Sequence, residues 1–377
     1  MAAPKLRFKE FDGDWSAQKY KDALTIKYGK DHKLLEDGEI PVYGTGGVMR
    51  YVNQYLYDGE SILIGRKGTI DQPKYVNEKF WTVDTLFYSE IKQNIYPLFI
   101  YQHALQVNWL GLNEATGVPS LNTTSINNVD IYLPSKEEQT KIASFLSNVD
   151  EKISQLNQKH ELLSQYKQGM MQKLFSQQIR FKADDGSEFG EWEEKIIGEI
   201  ANIKRGASPR PITDTKWFDE DSKVGWVRIS DVSKSKKVLV ETEQYLSNAG
   251  IKKSRFIPKG NIIMSICATI GKPIYTGFDV CIHDGFVVFS ELKAWHEYTY
   301  YYLEYIEKNW YQYGQPGTQV NLNSDIVSNE IFPFPCLEEQ TKIANFLSSI
   351  DQKIEVVAQQ IEQAKQWKKG LLQQMFV

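Results

Sequence analysis

The chain has 377 residues, of which 41% are hydrophobic and 24% charged, with a net charge of −4. This length and balance allow two or three globular domains and exclude wholesale disorder as well as nucleic-acid binding by bulk positive charge. No run of about 18 apolar residues exists, residues 1–10 lack the apolar core of a signal peptide, and the three cysteines form no Cys-x-x-Cys pair. These absences predict a cytoplasmic protein without membrane spans, disulfide framework or thiolate zinc site.

The first segment, residues 1–132, contains short β-like runs broken by Gly, Pro and Asn. Two examples are residues 61–64 and 80–83, which are rich in β-branched, apolar and aromatic side chains. The sequence Ile-Pro-Val-Tyr-Gly-Thr-Gly-Gly at 40–47 lacks the third glycine of a Gly-x-Gly-x-x-Gly fingerprint, so it indicates a β-turn. We therefore expect a mixed α+β domain here.

The second segment, residues 133–181, has the pattern of one long helix. Apolar residues recur from Ile142 in alternating steps of four and three, and a 3.5-residue stripe of this length is typical of a coiled coil. Ser135 and Glu138, which follow Pro134, predict a capping box at the start of the helix. His160 lies on the stripe, where a packed histidine is expected.

The third segment, residues 182–335, begins with a polar linker at 184–187. Its β-like runs at 261–266 and 286–289 again predict a mixed α+β domain, and residues 298–313 are expected to be helical. His283 and Asp284 could form an acid–base pair. Asp84 stands at the matching point of the first segment, however, which favours a structural role for both aspartates.

The fourth segment, residues 336–377, repeats the second. Residues 137–175 and 338–376 are identical at 20 of 39 positions without gaps, and both copies begin with Glu-Glu-Gln-Thr-Lys-Ile-Ala. Weaker similarity links residues 59–70 with 260–270. The chain is therefore a tandem duplication in which a variable domain precedes a nearly constant helix.

The narrow apolar stripe of each constant helix needs a partner. Packing on its own domain would satisfy such a helix, but the chain supplies one other helix with a matching stripe. We therefore favour an antiparallel coiled coil within the chain, with the two variable domains at opposite ends. The stripe residues expected at this interface are Ile142, Leu146, Val149, Ile153, Leu156, Leu163, Ile343, Leu347, Ile350, Ile354, Val357 and Ile361.

Catalytic motifs are absent from the sequence. It contains neither a Gly-x-x-x-x-Gly-Lys-[Ser/Thr] loop nor the Asn/Asp-Pro-Pro-aromatic motif of amino-methyltransferases, and its five histidines have no metal-ligand spacing. Basic residues instead cluster in the variable domains, within 66–74, 204–210, 228–237 and 252–255. Such clusters, interleaved with Ser, Thr and Asn, suit contacts to phosphates and base edges, although any one alone could be a solvated surface.

Two variable domains, each followed by a helix with the pattern Glu-Glu-Gln-x-Lys-Ile-Ala-x-Phe-Leu, resemble the specificity (S) subunit of type I restriction–modification systems. The resemblance covers the whole chain and includes Ile-Pro-Val-Tyr-Gly-Thr-Gly-Gly at 40–47. One departure is that no separate constant helix precedes the first domain, which leaves open how the N-terminal region completes the pseudo-symmetric arrangement.

The resemblance implies a non-catalytic subunit in which residues 1–132 and 182–335 are target recognition domains for the two halves of a bipartite double-stranded DNA site. Residues 133–181 and 336–377 would be the conserved helices, which separate the domains and dock two methyltransferase (M) subunits, with restriction (R) subunits joining the assembly. S-adenosylmethionine would then bind to the methyltransferase subunits, and ATP and magnesium to the restriction subunits. Because the two variable domains differ strongly, we expect an asymmetric target.

The expected DNA contacts rest on side-chain chemistry. Arginine can bond guanine O6 and N7 in a bidentate manner and is the better candidate for base reading, whereas lysine is better suited to phosphate. The residues expected to approach DNA are Arg66, Lys67, Lys74, Arg205, Ser208, Arg210, Arg228, Ser230, Lys234, Lys236, Gln319 and Asn321. If the basic loops are only solvated surface, residues 314–321 are the next candidates.

Two alternatives remain at this point. A coiled-coil scaffold that binds other proteins through its globular ends would show no salt-dependent DNA affinity. A self-contained DNA-modifying enzyme is disfavoured by the missing motifs, and binding of S-adenosylmethionine by the isolated chain would favour it again.

Overall fold

The computed structural model describes residues 3–313 and 322–377. The chain divides into two compact units, the first being Met1–Lys159 with Val357–Val377 and the second His160–Val356. Each unit contains one globular part, called here the first and the second domain, together with the initial part of one long helix and the final part of the other. This division cuts both long helices, whereas the four segments predicted from the sequence separate domains from helices.

The first domain is built mainly on one sheet. Six strands form it in the order β2-β7-β5-β6-β3-β4, with β3 and β6 parallel and the other neighbours antiparallel, and β1 pairs separately with β8. The strands are β1 (Ser16–Lys19), β2 (Leu24–Tyr28), β3 (Asp37–Gly44), β4 (Gly47–Val52), β5 (Tyr57–Gly65), β6 (Lys74–Thr82), β7 (Leu86–Ile91) and β8 (Asp130–Leu133). The helices are α1 (Tyr20–Ala23), α2 (Pro97–Ala104), a 3₁₀ turn at Leu110–Leu112, α3 (Thr123–Asn127) and the long α4 (Lys136–Phe175).

Strand alternation explains how this sheet is buried on both faces. Ile62 and Ile64 of β5 belong to a core that also includes Phe99 of α2 and Ile142 of α4. Leu63, which lies between them, belongs to a separate cluster on the opposite face. The apolar run at 61–64 is therefore a central strand.

The second domain has more, shorter strands. They form a five-stranded sheet (β10-β18-β15-β16-β12), a four-stranded sheet (β13-β11-β17-β14) and the pair β19-β9. The strands are β9 (Glu193–Ile196), β10 (Asn202–Arg205), β11 (Gly225–Val227), β12 (Val238–Leu239), β13 (Gln244–Tyr245), β14 (Arg255–Ile257), β15 (Ile262–Ser265), β16 (Pro273–Thr276), β17 (Val280–Ile282), β18 (Phe286–Ser290) and β19 (Ile331–Phe334). The helices are α5 (Ile197–Ile200), a 3₁₀ turn at Thr215–Trp217, α6 (Ile229–Lys234), α7 (Asn248–Lys252), α8 (His296–Tyr305), a 3₁₀ segment at Glu307–Tyr313, α9 (Ser324–Ser328) and the long α10 (Leu337–Met375).

The mixed α+β class predicted for both domains is confirmed, as are the strands predicted at 61–64, 80–83, 261–266 and 286–289. The helix predicted at 298–313 is only partly right. It begins as α8, and the chain continues from Glu307 as a 3₁₀ segment. No described helix has the length and apolar character that crossing a bilayer requires.

A buried glutamate near the start of each long helix ties that helix to the segment before its domain. Glu138 accepts two hydrogen bonds from Arg7, at 2.7 and 2.8 Å, and Arg7 also donates to the Gly13 carbonyl at 2.6 Å. The predicted capping box is therefore half correct: the Ser135 hydroxyl accepts from the Glu138 N–H at 3.3 Å, but the Glu138 carboxylate bonds to Arg7. A carboxylate so deeply buried needs this paired cation.

The second unit repeats this arrangement. Arg180 donates to the two carboxylate oxygens of Glu339, at 3.1 and 2.7 Å, and to the Gly190 carbonyl at 2.7 Å. Here Trp192 adds a third hydrogen bond, from Nε1 to the Glu339 carboxylate at 2.8 Å. Trp15, which lies 14 residues before Gly29 as Trp192 lies 14 residues before Gly206, leaves its buried Nε1 without a partner.

The N-terminal segment is held by the end of α10. The Leu6 N–H donates to the Gln374 carbonyl at 2.8 Å within the first unit. In the second unit the Ile179 N–H donates to the Lys173 carbonyl at 3.2 Å, and there the chain runs on continuously from α4. The N-terminal residues thus occupy, beside α10, the place that the chain following α4 occupies in the second unit.

The stripe residues are largely buried. Ile142, Leu146, Val149, Leu156, Ile343, Leu347, Ile350, Val357 and Ile361 are buried, whereas Ile153, Leu163 and Ile354 are half-buried. Much of this burial is against each helix's own domain, because Ile142, Leu146 and Val149 share a core with Phe99, and Ile343, Leu347 and Ile350 share one with Tyr298. Packing on the helix's own domain, the weaker alternative from the sequence, accounts for a substantial part of the pattern.

The two long helices also contact each other inside each unit. Asp150 of α4 pairs with Lys368 of α10 at 2.6 Å in the first unit, and Lys167 of α4 pairs with Asp351 of α10 at 2.7 Å in the second. In both units the initial part of one helix lies beside the final part of the other, as an antiparallel pair requires. Pairing along the whole length of the helices stays a prediction.

Candidate nucleic-acid interface

The two domains share one frame of main-chain hydrogen bonds around the loops that carry the predicted basic residues. The Arg66 N–H donates to the Thr85 carbonyl at 2.8 Å, and the Leu121 N–H donates to the Arg66 carbonyl at 2.9 Å. In the second domain the Ile266 N–H donates to the Gly285 carbonyl and the Leu322 N–H to the Ile266 carbonyl, both at 2.9 Å. Because these bonds join backbone atoms, the side chains on the frame can differ between the domains.

A glycine closes the frame at the same place in each domain. A β-carbon at Gly29 would lie 2.0 Å from the Val83 carbonyl oxygen, and one at Gly206 would lie 2.0 Å from that of His283. No side chain fits at such a distance, so both positions require glycine. The segment from Trp15 to Gly29 matches that from Trp192 to Gly206 at an offset of 177 residues, and the two glycines mark a shared structural requirement.

In the first domain, the predicted residues Arg66, Lys67 and Lys74 lie around this frame. Arg66 donates from Nη1 to the Asp84 carbonyl at 3.0 Å, and its guanidinium lies 5.5 Å from the centre of the Tyr28 ring. Lys67 is exposed and its backbone pairs with Ser120. Lys74 is half-buried at the start of β6, with Nζ close to Gly47.

A cleft of about 710 Å³ opens beside these residues. Its walls come from three loops, 31–33, 44–49 and 83–85. The middle loop is the tip of the β3–β4 hairpin, so the β-turn predicted from the glycines at 44–47 is confirmed. This tip carries no charge and exposes Val48 and Met49.

In the second domain, Asp284 accepts hydrogen bonds from three of the predicted residues. Arg205 donates from Nε to its main-chain carbonyl at 2.6 Å, Ser208 donates to its carboxylate at 2.9 Å, and Arg210 reaches the carboxylate at 3.4 Å. Burial alone would raise the pKa of Asp284, but the Ser208 hydrogen bond and the positive charge of Arg210 are among the contributions that lower it in total. The carboxylate is thus ionised at neutral pH and orients the side chains around it.

His283 has the structural role that the sequence favoured over an acid–base pair. Its Nδ1 accepts the Gly285 N–H at 2.8 Å, and its ring lies 4.9 Å from that of Phe286. Burial lowers the pKa of His283. The charge of Asp284 raises it, and the charges of Arg228 and Arg205 lower it further. A neutral imidazole whose Nδ1 is occupied by the main chain does not exchange a proton with Asp284 at that atom.

Four further predicted residues lie on or beside α6. Arg228 is exposed and directly precedes the helix, and its N–H donates to the Asp231 carboxylate at 2.8 Å. Ser230 is exposed in the first turn. Lys234 and Lys236 pair with carboxylates instead, Lys234 with Glu243 at 2.7 Å and Lys236 with Glu355 at 2.6 Å. These ion pairs make the two lysines weaker candidates for phosphate than the sequence indicates.

Some participants were not predicted. Tyr28 supports Arg66, and Asp284 organises the second cluster. Arg255, from the predicted basic cluster at 252–255, donates to the Arg205 carbonyl at 3.0 Å. The repeated Asp84 and Asp284 were the available signal in the sequence. Gln319 and Asn321, with the alternative stretch 314–321, lie outside the described residues.

Metal binding finds no support in the described part of the chain. Across residues 3–313 and 322–377, no group of three or more His, Cys, Asp and Glu side chains could hold an ion. The site is one of exposed cations, hydroxyls and loops on a main-chain frame, which is chemistry suited to recognition.

Comparison with known proteins matches both halves of the chain to one family. The model described as "Type I restriction modification DNA specificity domain" matches residues 13–165 and 190–366. The chain is 27% identical to the Type I restriction enzyme MjaVIII specificity subunit of Methanocaldococcus jannaschii, covering 97% of this chain and 94% of that protein. It is 29% identical to the putative MjaX specificity subunit of the same organism, over 74% of this chain and 66% of that protein.

Solved structures show the same fold. The crystal structure of a type I restriction–modification S subunit from M. genitalium superposes with a TM-score of 0.61 at 15% identity, covering 100% of this chain and 99% of that chain. A second chain, from a study of complex assembly and conformational transition of the type I R-M system, gives a TM-score of 0.57 at 13% identity, covering 96% and 97%. The resemblance seen in the sequence is confirmed, and the chain belongs to the family of type I restriction–modification DNA specificity subunits, which are non-catalytic.

Proposed function

We propose that the chain recognises an asymmetric bipartite double-stranded DNA target, with one half-site read by each domain. The observation that supports this most strongly is the shared main-chain frame with different side chains, Arg66 on the loop of the first domain and Ile266 at the matching point of the second. Two readers of the same architecture but different surfaces suit two half-sites of different sequence. Base reading is assigned to exposed arginines such as Arg210 and Arg228, and phosphate neutralisation to lysines such as Lys67.

We further infer that the long helices position methyltransferase and restriction subunits on the DNA. The predicted stripe residues are mostly buried within the chain, so a partner subunit has to use other faces of the helices. Leu162, Tyr166, Val356 and Trp367 are large apolar residues of the long helices that are more than half exposed. Such residues are suited to an interface with another protein. S-adenosylmethionine would be held by the methyltransferase subunits, and ATP and magnesium by the restriction subunits.

The decisive experiment is methylation-sensitive long-read sequencing of DNA from cells that carry the complete system. We expect methylation at one asymmetric sequence made of two specified parts with an unspecified spacer. The matched control carries the same system without this chain and should lack that methylation. A palindromic target, or methylation that persists in the control, would contradict the proposal.

A binding measurement separates this function from the protein-binding scaffold. Affinity of the full chain for a duplex that contains the methylated sequence should fall steeply as salt is raised, because phosphate contacts release counterions. A scaffold that binds only proteins would show neither this affinity nor its dependence on salt.

A further inference from the structure

Both domains hold a guanidinium at the same point of the shared frame. Arg66 donates to the Asp84 carbonyl at 3.0 Å, and Arg205 donates to the Asp284 carbonyl at 2.6 Å. The two carbonyls are equivalent, because the residue after each aspartate accepts the frame hydrogen bond from residue 66 or from Ile266.

The two arginines come from different places in the chain. Arg66 follows β5, whereas Arg205 ends β10. Tyr28 ends β2, the strand that matches β10, and each of these two strands leads into a glycine of the frame, Gly29 or Gly206. The matched positions are therefore Tyr28 with Arg205 and Arg66 with Ile266. Neither matched pair contains an arginine in both domains, yet the folded domains place one at the same carbonyl.

We propose that Arg66 and Arg205 are equivalent anchors for the DNA phosphate backbone, one in each domain. This inference rests on the proposed function. If the two half-sites differ in sequence, a guanidinium held at the same carbonyl in both domains serves a feature that all DNA shares, and that feature is the sugar–phosphate backbone.

The geometry suits an anchor. The carbonyl bond uses one of the five N–H donors of a guanidinium and fixes its plane, and a fixed planar guanidinium can bond two phosphate oxygens at once. In the first domain the Tyr28 ring supports the group from one side. Base reading then falls to other side chains, with Arg210 and Arg228 as the second-domain candidates, and the base-reading role that the sequence favoured for Arg66 and Arg205 is replaced.

The first test uses Arg66→Ala and Arg205→Ala in the full chain, with a duplex that contains the methylated sequence and an unrelated duplex of equal length. Each variant is expected to weaken binding to both duplexes about 3- to 10-fold and to reduce the salt slope by about 1. The base preference at every position should stay unchanged. Arg66→Lys keeps the charge and should keep the salt slope while losing part of the affinity.

Matched controls come from the far ends of the same sheets. Lys79 lies opposite Asp58 of β5, and Lys259 lies before β15. Lys79→Ala and Lys259→Ala therefore each remove a cation that lies far from the frame. Neither should change affinity or salt slope. Relaxed preference at a single base would instead make the two arginines base readers and overturn the proposal, and so would unchanged affinity in both alanine variants.

The second test transplants the arrangement of the second domain into the first. Arg66→Ile alone should weaken binding as much as Arg66→Ala does. Adding Tyr28→Arg supplies the guanidinium from β2, as Arg205 does from β10, and should restore affinity to within about 2-fold. Failure of the folded double variant to recover would contradict equivalence. A wild-type chain without sequence preference would contradict the proposed function itself.

Discussion

The two domains have the same backbone frame but candidate DNA-contacting surfaces of different character. The first surrounds a cleft with an uncharged hairpin tip that exposes Val48 and Met49, while the second gathers Arg205 and Arg210 around Asp284. The frame is held by main-chain hydrogen bonds and by glycines, neither of which depends on the neighbouring side chains. The comparison teaches that the side chains around the frame can change while the frame itself is kept.

The largest difference between the units is expected where a buried glutamate of each long helix is paired with an arginine. Arg7→Ala is expected to lower the free energy of unfolding by about 3–5 kcal/mol, because Glu138 would keep a buried charge without its partner. Arg180→Ala should cost less, since Trp192 still donates to Glu339. Urea unfolding measures both, with exposed Lys9→Ala as the control. Equal losses would show that the indole hydrogen bond contributes nothing.

The second prediction concerns equivalent core positions of the long helices. Leu146 and Leu347 are both 0% exposed, and each sits in the core of its own unit. Leu146→Ala and Leu347→Ala should each lower the free energy of unfolding by about 2–5 kcal/mol, and by similar amounts. Leu162→Ala, on the exposed face of α4, should change it by less than about 0.5 kcal/mol. Clearly unequal leucine effects would mean that the two cores are not equivalent.

Acid should destabilise the first unit through its buried histidine. Burial lowers the pKa of His103 to about 4, whereas an unfolded histidine titrates near about 6.5. The stabilisation from neutral His103 is therefore complete above the unfolded pKa and is lost as the pH falls towards the folded one. It should decrease by about 2 kcal/mol by pH 5. His283, whose pKa burial also lowers, acts with the same sign in the second unit.

Thermal unfolding between pH 7 and 5 measures this loss. His103→Gln should flatten the pH dependence by removing the contribution of the first unit and leaving that of His283. Unchanged pH dependence in the variant would show that His103 has the same pKa in the folded and the unfolded chain.

Base reading in the second domain can be tested at Arg228. Arg228→Ala should weaken binding to the methylated sequence by about 1–3 kcal/mol and relax one base position in that half-site. The half-site of the first domain should be unaffected. Competition binding with single-base variants of the target measures both effects, and an equal loss for all sequences would assign Arg228 to phosphate.

The smallest effect is expected at Lys234. Without its ion pair, Lys234→Ala would weaken all sequences alike and reduce the salt slope by about 1. Since Lys234 pairs with Glu243 at 2.7 Å, contact with phosphate requires that pair to open, and we expect a smaller change in slope. Salt titration of Lys234→Ala beside Glu243→Ala measures the difference. A full unit of slope lost in Lys234→Ala would show that the ion pair is open in the complex.

The sequence predicts the parts of the fold that follow from local periodicity. The stripe from Ile142 and the run at 61–64 gave the long helix and a central strand, because burial on a helix or strand imposes a fixed repeat. Partners distant in the chain were not predictable in this way. Glu138 was assigned to a local capping box, but it bonds Arg7, 131 residues away.

The candidate site shows the same division. Arg66 and Arg205 could be selected from the sequence as cations beside predicted strands, but their shared position depends on how the loops fold together. The pairing of Lys236 with Glu355 of α10 likewise exists only in the folded second unit. Charge clusters in a sequence locate candidate cations, while the acidic neighbours that weaken some of them are brought close by tertiary structure.

The arginine that satisfies each buried glutamate comes from the segment before the domain, and this limits how recognition domains can be inherited. An exchange that begins after Gly13 and ends before α4 leaves both Arg7 and the helix that carries Glu138 with the recipient, and only the domain between them changes. A joint placed before Arg7 has to import a matching arginine, or the recombinant keeps an unpaired buried carboxylate. New specificities should therefore arise most readily by exchanges that begin inside the domain.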